Sequence, residues 1–395
     1  MKKLFLIIFF ICISSLNAKT FKEVLHLYEF QIKTYLKKHD IDEINKVTPI
    51  KINENFKTGF WPNHWPFAAG TYKNKAFWIT FKRLGVVEVH PILNPSYKNL
   101  SDINGTTDGE LILTDSETNK IYILQLNNEL TNYNEQYSIS INSPEKISIS
   151  KNNTLAILGQ NKISIFIKEN NMFKLKKELS KKITQSIKSK NIKDLCYDIK
   201  NNLYILVENE VLVFNKIGKK IKTIYLETKL NAFGVTYHRN LIGISSKDEH
   251  IYLFSENGSL INKKTFPAFK NKNNIKFSFF QPFAYVGLYS NLEGYAYNMG
   301  LEIKDFSWLK KNSTQEKEFS FTSTFPAKTT ITISDDSDTT IMTLINNKIL
   351  KAKKHSFKFN LPQNSLSKSF KLTISGKALY SQSNTKTKVI EFNNL

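Results

Sequence analysis

Seven histidines are scattered along this 395-residue chain, and their spacing decides which local metal chemistry the sequence could support. No two lie three or four residues apart, and none adjoins a carboxylate pair at the spacing of a zinc site. They are His26, His39, His64, His90, His238, His250 and His355. We therefore predict no metal site and no cofactor.

The acidic residues offer a second route to a metal. Asp335, Asp336 and Asp338 form an acidic turn that superficially resembles a calcium loop. The turn lacks the central glycine and the distal bidentate glutamate of such a loop, so we predict a solvated turn. Four further acidic residues are interpreted in the same way, as turn residues first and ligands second: Asp102, Asp108, Asp115 and Glu117.

Nucleophilic and nucleotide chemistry have little support. The serines form no Gly-x-Ser-x-Gly elbow, and no glycine-rich phosphate loop occurs among the 14 glycines. Cys12 lies in the amino-terminal apolar run, which leaves Cys196 for the rest of the chain. Its neighbours Leu195 and Tyr197 predict a strand in which the thiol is structural. We predict that the protein is not an enzyme and has no catalytic residues.

The most unusual local composition is an aromatic and proline-rich stretch at residues 60–67. Large rings with few torsions lose little entropy when they dock, so this stretch could form a rigid binding shelf. The predicted binding residues are Trp61, His64, Trp65 and Phe67. The alternative is that these rings seal the seam between an amino-terminal helix and the first strands.

The chain is strongly basic, with a formal net charge of +22. All but two of its 56 basic residues are lysine, the exceptions being Arg83 and Arg239. Because nucleic-acid readers favour arginine for bidentate contacts, we predict no nucleic-acid partner. An envelope protein partner is expected, with anionic envelope polymers as a second class that salt would weaken.

The amino terminus reads as a secretory signal over residues 1–18. Two lysines precede an apolar run at residues 4–13, and a small residue, Ala18, ends the segment. The run is shorter than the roughly 20 residues that span a bilayer, so we predict an exported chain that does not span the membrane after cleavage. An uncleaved anchor helix is the alternative. Residues 19–58 are predicted as a helical segment and linker, with an amphipathic helix at 21–38 that packs on the body or binds a partner.

The middle of the chain repeats at a period of roughly 40 residues. Each repeat contains a word of the form apolar–x–apolar–aromatic or Leu, preceded by a second apolar run and a polar turn. The words lie at residues 121–124, 163–166, 211–214, 251–254 and 294–297, with a degenerate first copy at 77–89. Four strands at this period are typical of a propeller blade, so we predict a six-bladed β-propeller over residues 59–309.

The best copies, at residues 203–219 and 241–259, resemble the repeats of six-bladed NHL and YVTN propellers. The resemblance covers roughly 250 residues and consists of strand and turn chemistry. Six-bladed lactonases share this architecture and hold a divalent cation with residues from separate blades. The resemblance therefore implies an alternative function, a periplasmic hydrolase of the lactonase type with a central cation.

From residue 319 the sequence changes to short alternating strands, at 330–333, 340–344, 356–359, 370–374 and 387–392. We predict an immunoglobulin-like β-sandwich over residues 319–395. Its strand order is similar to the immunoglobulin-like domain of flagellar hook-capping proteins. It departs from them in having Phe359, Asn360 and Leu361 where those proteins carry Trp-Asp-Gly.

Together these features predict an all-β chain: a short amino-terminal helix, a six-bladed propeller and a sandwich. The expected function is a non-enzymatic protein-binding platform, exported to the periplasm or cell surface as part of an envelope or flagellum-associated assembly. This expectation rests on fold analogy, and one fold hosts many functions. Adhesion to anionic polymers through charge alone is the third hypothesis, and it predicts binding that salt abolishes.

Overall fold

The computed structural model describes residues 38, 40, 46–49, 64–82, 87–127, 132–187, 191–236, 239–245, 249–265, 276–280, 285–290, 293–298, 301–309, 316–361, 369–379 and 385–393. The expected signal at residues 1–18 lies outside them, as does the predicted helix at 21–38 except for Lys38. Two compact units divide the chain. The second unit comprises Leu253–Ser255, Leu260–Lys263 and Asn298–Leu395, and the first comprises the remainder.

Six consecutive sheets build the region from Lys46 to Asn298, and within each the strands are neighbours in chain order. The first sheet contains β1 (Lys46–Pro49), β2 (His64–Tyr72), β3 (Lys75–Lys82) and β4 (Val87–Ile92). The second contains β5 (Leu100–Gly105), β6 (Leu111–Asp115), β7 (Lys120–Leu126) and β8 (Tyr133–Ser140). The third contains β9 (Pro144–Ile149), β10 (Thr154–Gly159), β11 (Lys162–Glu169) and β12 (Met172–Leu175).

The fourth sheet contains β13 (Ile192–Tyr197), β14 (Leu203–Val207), β15 (Glu210–Phe214) and β16 (Lys220–Tyr225). The fifth contains β17 (Ala232–Val235), β18 (Leu241–Ser245), β19 (His250–Phe254) and β20 (Leu260–Thr265). The sixth contains β21 (Lys276–Phe280), β22 (Tyr285–Ser290) and β23 (Glu293–Asn298). One helix, α1 (Lys177–Ile187), lies between the third and fourth sheets in the described part of the chain.

The first strands of these sheets form a closed ring. Each of β1, β5, β9, β13, β17 and β21 contacts the first strand of the next sheet, and β21 contacts β1. Successive four-stranded sheets fanned around a shared centre are the blades of a propeller. The predicted six-bladed β-propeller is therefore confirmed, and the sheets are called blades 1 to 6 below.

The repeated words have one structural meaning. They form the third strand of their blades, in β7, β11, β15, β19 and β23, and the run before each word forms the second strand. Second strands such as β6, β14 and β18 are buried along their whole length, because neighbouring blades cover both faces. This is why their sequences are continuous apolar runs. The apolar side chains between blades 1 and 2, 2 and 3, and 3 and 4 each form a separate core cluster.

The turn from first to second strand also recurs. A hydroxyl or carboxylate accepts a backbone N–H four residues on, as when Thr106 accepts from Glu110 and Asp198 from Asn202. Ser150 and Thr236 accept in the same way from Thr154 and Asn240. The residue three positions on has a positive φ, and it is Gly109, Asn153, Asn201 or Arg239. Such side-chain–backbone turns favour Asp, Ser, Thr and Asn, which explains the polar residues between the first and second strands.

From Asn298 onward, the second unit is a two-sheet sandwich with seven strands. They are β24 (Ile303–Leu309), β25 (Glu316–Ser323), β26 (Ala327–Asp335), β27 (Thr340–Leu350), β28 (Lys353–Asn360), β29 (Ser369–Ala378) and β30 (Thr385–Asn393). One sheet has the order β24-β25-β28 and the other β27-β26-β29-β30. Their inner faces share a core that includes Phe319, Ile331, Phe359 and Leu372.

Two strands differ from the sequence prediction. β1 lies in the predicted linker at residues 19–58, before the expected propeller boundary at 59. β24 was assigned to the propeller, but it pairs with β25 of the second unit. In both cases pairing with the next strand of the chain decides the assignment, because four residues of β1 carry no alternation and the pattern of β24 does not reveal its partner.

Among the residues that the structure describes, no helix combines the length and hydropathy that crossing a bilayer requires.

Candidate functional site

The predicted aromatic shelf is partly described. Trp61 lies outside the described residues, whereas His64, Trp65 and Phe67 belong to β2. In the register, His64 lies opposite Lys82 and Trp65 opposite Phe81, and the pairing shifts around Phe67. The extra residue forms a bulge in the pairing of β2 with β3. The proposed binding role of these residues remains a prediction.

The turn prediction is wrong for Asp102, which lies within β5, whereas the other six predicted carboxylates lie in or beside turns. Asp115 accepts backbone N–H groups from Lys98 and Glu117, and Asp335 accepts them from Ser337 and Thr339. Asp108 instead joins blades: its Oδ2 accepts from the Lys168 ammonium at 2.8 Å. Two other residues complete this junction, Glu110 at 2.8 Å from the same ammonium and Asn153 at 2.7 Å from Asp108.

The ring axis has its own polar row. Asp102, Lys146 and Asp194 are each the third residue of a six-residue inner strand, in blades 2, 3 and 4. Asp102 accepts the backbone N–H of Ile147 in the next blade at 3.0 Å, and Asp194 accepts that of Phe233 at 3.0 Å. These carboxylates therefore tie each blade to the following one.

Lys146 is the cation of this row. Burial alone would lower the pKa of its ammonium, but Asp194 and Asp102 outweigh burial and raise the pKa above its ordinary value. The lactonase-type alternative expects carboxylates from separate blades around a cation. Here the two carboxylates already accept backbone N–H groups and face an ammonium from the blade between them. In the described part of the chain, no group of three or more His, Cys, Asp or Glu side chains is arranged to hold a metal ion.

Cys196 lies on the same inner strand as Asp194, two residues further on. Its thiol is half-buried, and its strand partner is Tyr204. It is the free cysteine of the described residues, in the strand that the sequence predicts.

A different kind of site lies on the outer rim, beside α1. The helix covers the edge of β11 where β12 has ended, because β12 pairs only with the last four residues of β11. Ser180 accepts the backbone N–H of Ile165 at 2.9 Å, and Thr184 accepts that of Ile163 at 3.3 Å. Hydroxyls thus satisfy backbone donors that a longer fourth strand would have paired.

The helix has a clear amphipathic pattern. Leu179, Ile183 and Ile187 recur every four residues and pack into the core between blades 3 and 4. Sequence reasoning missed α1, although this spacing was a sufficient signal for it. The opposite face carries lysines, which the chain-wide lysine excess concealed.

Between α1 and the turn from β15 to β16 lies a groove of about 990 Å³, which we call the lysine groove. Its lining residues are Ile167, Leu175, Lys176, Lys177, Glu178, Leu179, Lys181, Lys182, Gln185, Lys216 and Ile217. Five of these side chains are cationic and one is anionic. The apolar part is exposed as well, since Ile217 is 59% and Leu175 is 42% accessible.

The groove walls are held in place by specific contacts. Lys182 donates to the backbone carbonyl of Ile217 at 3.2 Å, and Lys176 pairs with Glu169. Within the described residues, Lys177, Lys181 and Lys216 form no ion pair. The lysine groove therefore combines unpaired positive charge with exposed aliphatic surface.

No protein-family model matches the chain, and no curated protein matches it. Solved structures of low similarity have propeller architecture. Virginiamycin B lyase from Staphylococcus aureus is 12% identical, with a TM-score of 0.44, over 64% of this chain and 80% of that one. PorZ, a surface component of the type-IX secretion system of Porphyromonas gingivalis, is 11% identical, with a TM-score of 0.47, over 88% of this chain and 51% of that one. YCF48 bound to a D1 peptide is 8% identical, with a TM-score of 0.40, over 64% and 92%. These likenesses concern architecture and transfer neither an activity nor a partner to this chain.

Proposed function

We propose that this chain is an exported, non-enzymatic platform that binds a protein partner in an envelope or surface assembly. The main supporting observation is the contrast between the axis of the propeller ring and its outer rim. At the axis, Asp102 and Asp194 are committed to holding blades together. At the rim, the lysine groove presents charge without a partner in the described residues, next to exposed aliphatic side chains.

Several physical features support a docking role for the first unit. Closing six blades into a ring leaves the groove on a fixed scaffold, so a partner would not have to order it. A basic surface attracts acidic partners over a distance of about 10 Å at 0.1 M salt. The aromatic stretch with Trp61, His64, Trp65 and Phe67 remains our proposal for a second contact.

We infer that the second unit, from Asn298, is immunoglobulin-like. The support is its strand order: the first, second and fifth strands share one sheet, and the fourth, third, sixth and seventh share the other. Together with the resemblance to hook-capping proteins, this order makes a flagellum-associated assembly our preferred setting. The NHL type of the propeller and export through residues 1–18 belong to the same proposal.

The test has two stages. The chain is cross-linked in intact source cells, and each captured envelope protein is then expressed, purified and mixed with the purified chain. We expect one of them to form a stoichiometric complex whose mass by light scattering is the sum of the masses of the two proteins. Amino-terminal sequencing of the native protein should begin at Lys19 if export and cleavage occur.

The contrary outcome is equally concrete. If no captured protein re-forms a complex, and the purified chain hydrolyses lactones only when a divalent cation is added, the platform proposal is wrong. A native protein that retains Met1 and is recovered in the cytoplasmic fraction would contradict export. Partner binding would still be tested separately by complex formation.

A further inference from the structure

We propose that the lysine groove binds an acidic segment of a partner protein that presents an aliphatic side chain between its carboxylates. The inference deepens the proposed function, since it assigns the chemistry of the partner at one site. It rests on three observations: the unpaired lysines, the exposed aliphatic floor formed by Ile217 and Leu175, and the contacts that join the groove walls.

Two of the positive charges in the groove lie near the amino terminus of α1, where the helix dipole disfavours them. Lys177 and Lys181 lie in the first half of α1, and its last turn contains no basic residue. Basic side chains are least favourable near a helix amino terminus, and like charges four residues apart repel. Lys216 adds a third unpaired cation from the facing turn. An anionic occupant would relieve this repulsion.

The aliphatic floor distinguishes among anionic occupants. Ile217 and Leu175 line the groove together with the lysines, and both side chains are exposed. A phosphate polymer or an acidic polysaccharide offers no aliphatic group to cover them, and a flat lipid surface does not enter a groove. A peptide supplies both chemistries, and a volume of about 990 Å³ lies at the upper end of the size range of ligand sites.

The groove is held open by its own packing. Gly218 has a positive φ of 73°, and a Cβ there would approach Leu179 Cδ1 to 2.5 Å, so the turn and helix are already in close contact. The Lys182 ammonium also bridges the helix to the Ile217 carbonyl at 3.2 Å. A partner segment would therefore meet a preformed surface, which lowers the entropic cost of docking.

The experiment measures fluorescence anisotropy of short labelled peptides with the purified chain. One peptide carries glutamates that flank two leucines, and a second replaces the leucines with serine. We expect the leucine peptide to bind more tightly than the serine peptide. The Lys177→Glu, Lys181→Glu, Lys216→Glu variant should bind it about tenfold more weakly at roughly 50 mM salt.

A matched variant separates the groove from the general charge. Lys98→Glu, Lys151→Glu, Lys200→Glu removes the same charge from exposed positions of the first unit that do not line the groove. It should retain wild-type binding within about twofold, because screening limits the reach of exposed charges. For the apolar part, Ile217→Ser should weaken binding, whereas Ile349→Ser, at 56% exposure in the second unit, should not.

Three results with these probes would overturn the inference. They are equal loss of binding in both triple variants, equal binding of the two peptides, and tighter binding of polyphosphate or anionic lipid vesicles than of the leucine peptide. Unfolding midpoints confirm that each variant is folded. If the purified envelope partner binds the groove variant as well as it binds the wild type, this inference is wrong and the platform function stands. Absence of any partner complex would instead remove the platform function.

Discussion

Asp102 and Asp194 occupy the same position two blades apart, and each carboxylate accepts two backbone N–H groups with nearly identical geometry. Asp102 accepts from its neighbour Ile103 at 2.9 Å and from Ile147 of the next blade at 3.0 Å. Asp194 accepts from Leu195 at 2.9 Å and from Phe233 of the next blade at 3.0 Å. Hydrogen bonds to an ionised carboxylate are stronger than those between neutral groups. Asp102 and Asp194 therefore stabilise two equivalent junctions between successive blades of the ring.

Replacing Asp194 with Asn should destabilise the first unit by about 1–3 kcal/mol, because an amide offers one acceptor oxygen for two buried donors. Asp102→Asn should have a similar cost, since the contacts are equivalent. Urea unfolding checks both variants, with Glu117→Gln on an exposed turn as the control. A cost below the error of the measurement in both aspartate variants would show that the contacts do not fasten the blades.

The junction between Lys168 and Glu110 gives a second prediction. The Lys168 side chain is 14% exposed and that of Glu110 is 7% exposed, and their charged atoms are 2.8 Å apart. Lys168→Met leaves this carboxylate and the more exposed Asp108 without their cation, so we expect a loss of roughly 1–3 kcal/mol in unfolding free energy.

The control for this junction is Lys174→Met. Lys174 pairs with Glu169 at 3.8 Å, and its side chain is largely exposed. An exposed pair contributes at most about 1 kcal/mol, and often nothing measurable. Equal losses in the two variants would show that the junction between blades 2 and 3 is worth no more than a surface pair.

The hydroxyls of α1 should protect the edge of blade 3. Removing both, with Ser180→Ala and Thr184→Val, leaves the Ile165 and Ile163 N–H groups without acceptors, and we expect a loss of about 1–3 kcal/mol. Hydrogen exchange at these two amides should accelerate. Ser186→Ala is the matched control, because Ser186 bonds within the helix to the Lys182 carbonyl. Unchanged exchange in the double variant would contradict the edge-capping role.

How far the sequence predicts this structure depends on the range of the interactions involved. The blades were predictable, because each second and third strand is a local apolar run bounded by turn residues such as Asp198. β1 and β24 were not, since each is assigned by the sheet into which it pairs and not by a pattern in its own residues. Local composition carries no information about which sheet completes a short strand.

The candidate site was harder to predict than the fold. The sequence predicts an aromatic shelf at residues 60–67, and that prediction is untested by the described side chains. The lysine groove was missed for a physical reason: it needs α1 and the turn at Lys216 to lie side by side, although they are separated by three strands and their connections. In a chain with 56 basic residues, a functional lysine also has no distinctive composition around it.

The second unit should lose stability on acidification through His355. Burial against Phe321 and Phe357, together with the nearby Lys353 charge, lowers the pKa of this imidazole below its ordinary value of 6.5, although its bond to the Lys351 carbonyl acts in the opposite direction. The unfolded chain then takes up the proton more readily than the folded chain. The contribution of His355 to the unfolding free energy is therefore fully present above about pH 6.5, and it is lost as the pH falls below this value.

Hydrogen exchange of β25 and β28 at pH 7.5 and 5.5, corrected for intrinsic exchange, measures this effect. We expect protection to decline less in His355→Gln than in the wild type. In His250→Gln, a variant of the first unit, the decline should equal that of the wild type. A wild-type imidazole whose resonance titrates above pH 6.5 would contradict the sign of the prediction.

Gly218 provides the last prediction, because it links the backbone of blade 4 to the position of α1. Its φ of 73° is unfavourable for a residue with a Cβ by about 1–2 kcal/mol. The new methyl group would also meet Leu179 Cδ1, so Gly218→Ala should destabilise the first unit and displace the helix, and exchange of the α1 amides should accelerate. Gly376→Ala is the control, since its nearest neighbour would be 3.4 Å away and its φ is not positive. If Gly218→Ala unfolds like the wild type and α1 stays protected, the groove does not depend on this contact.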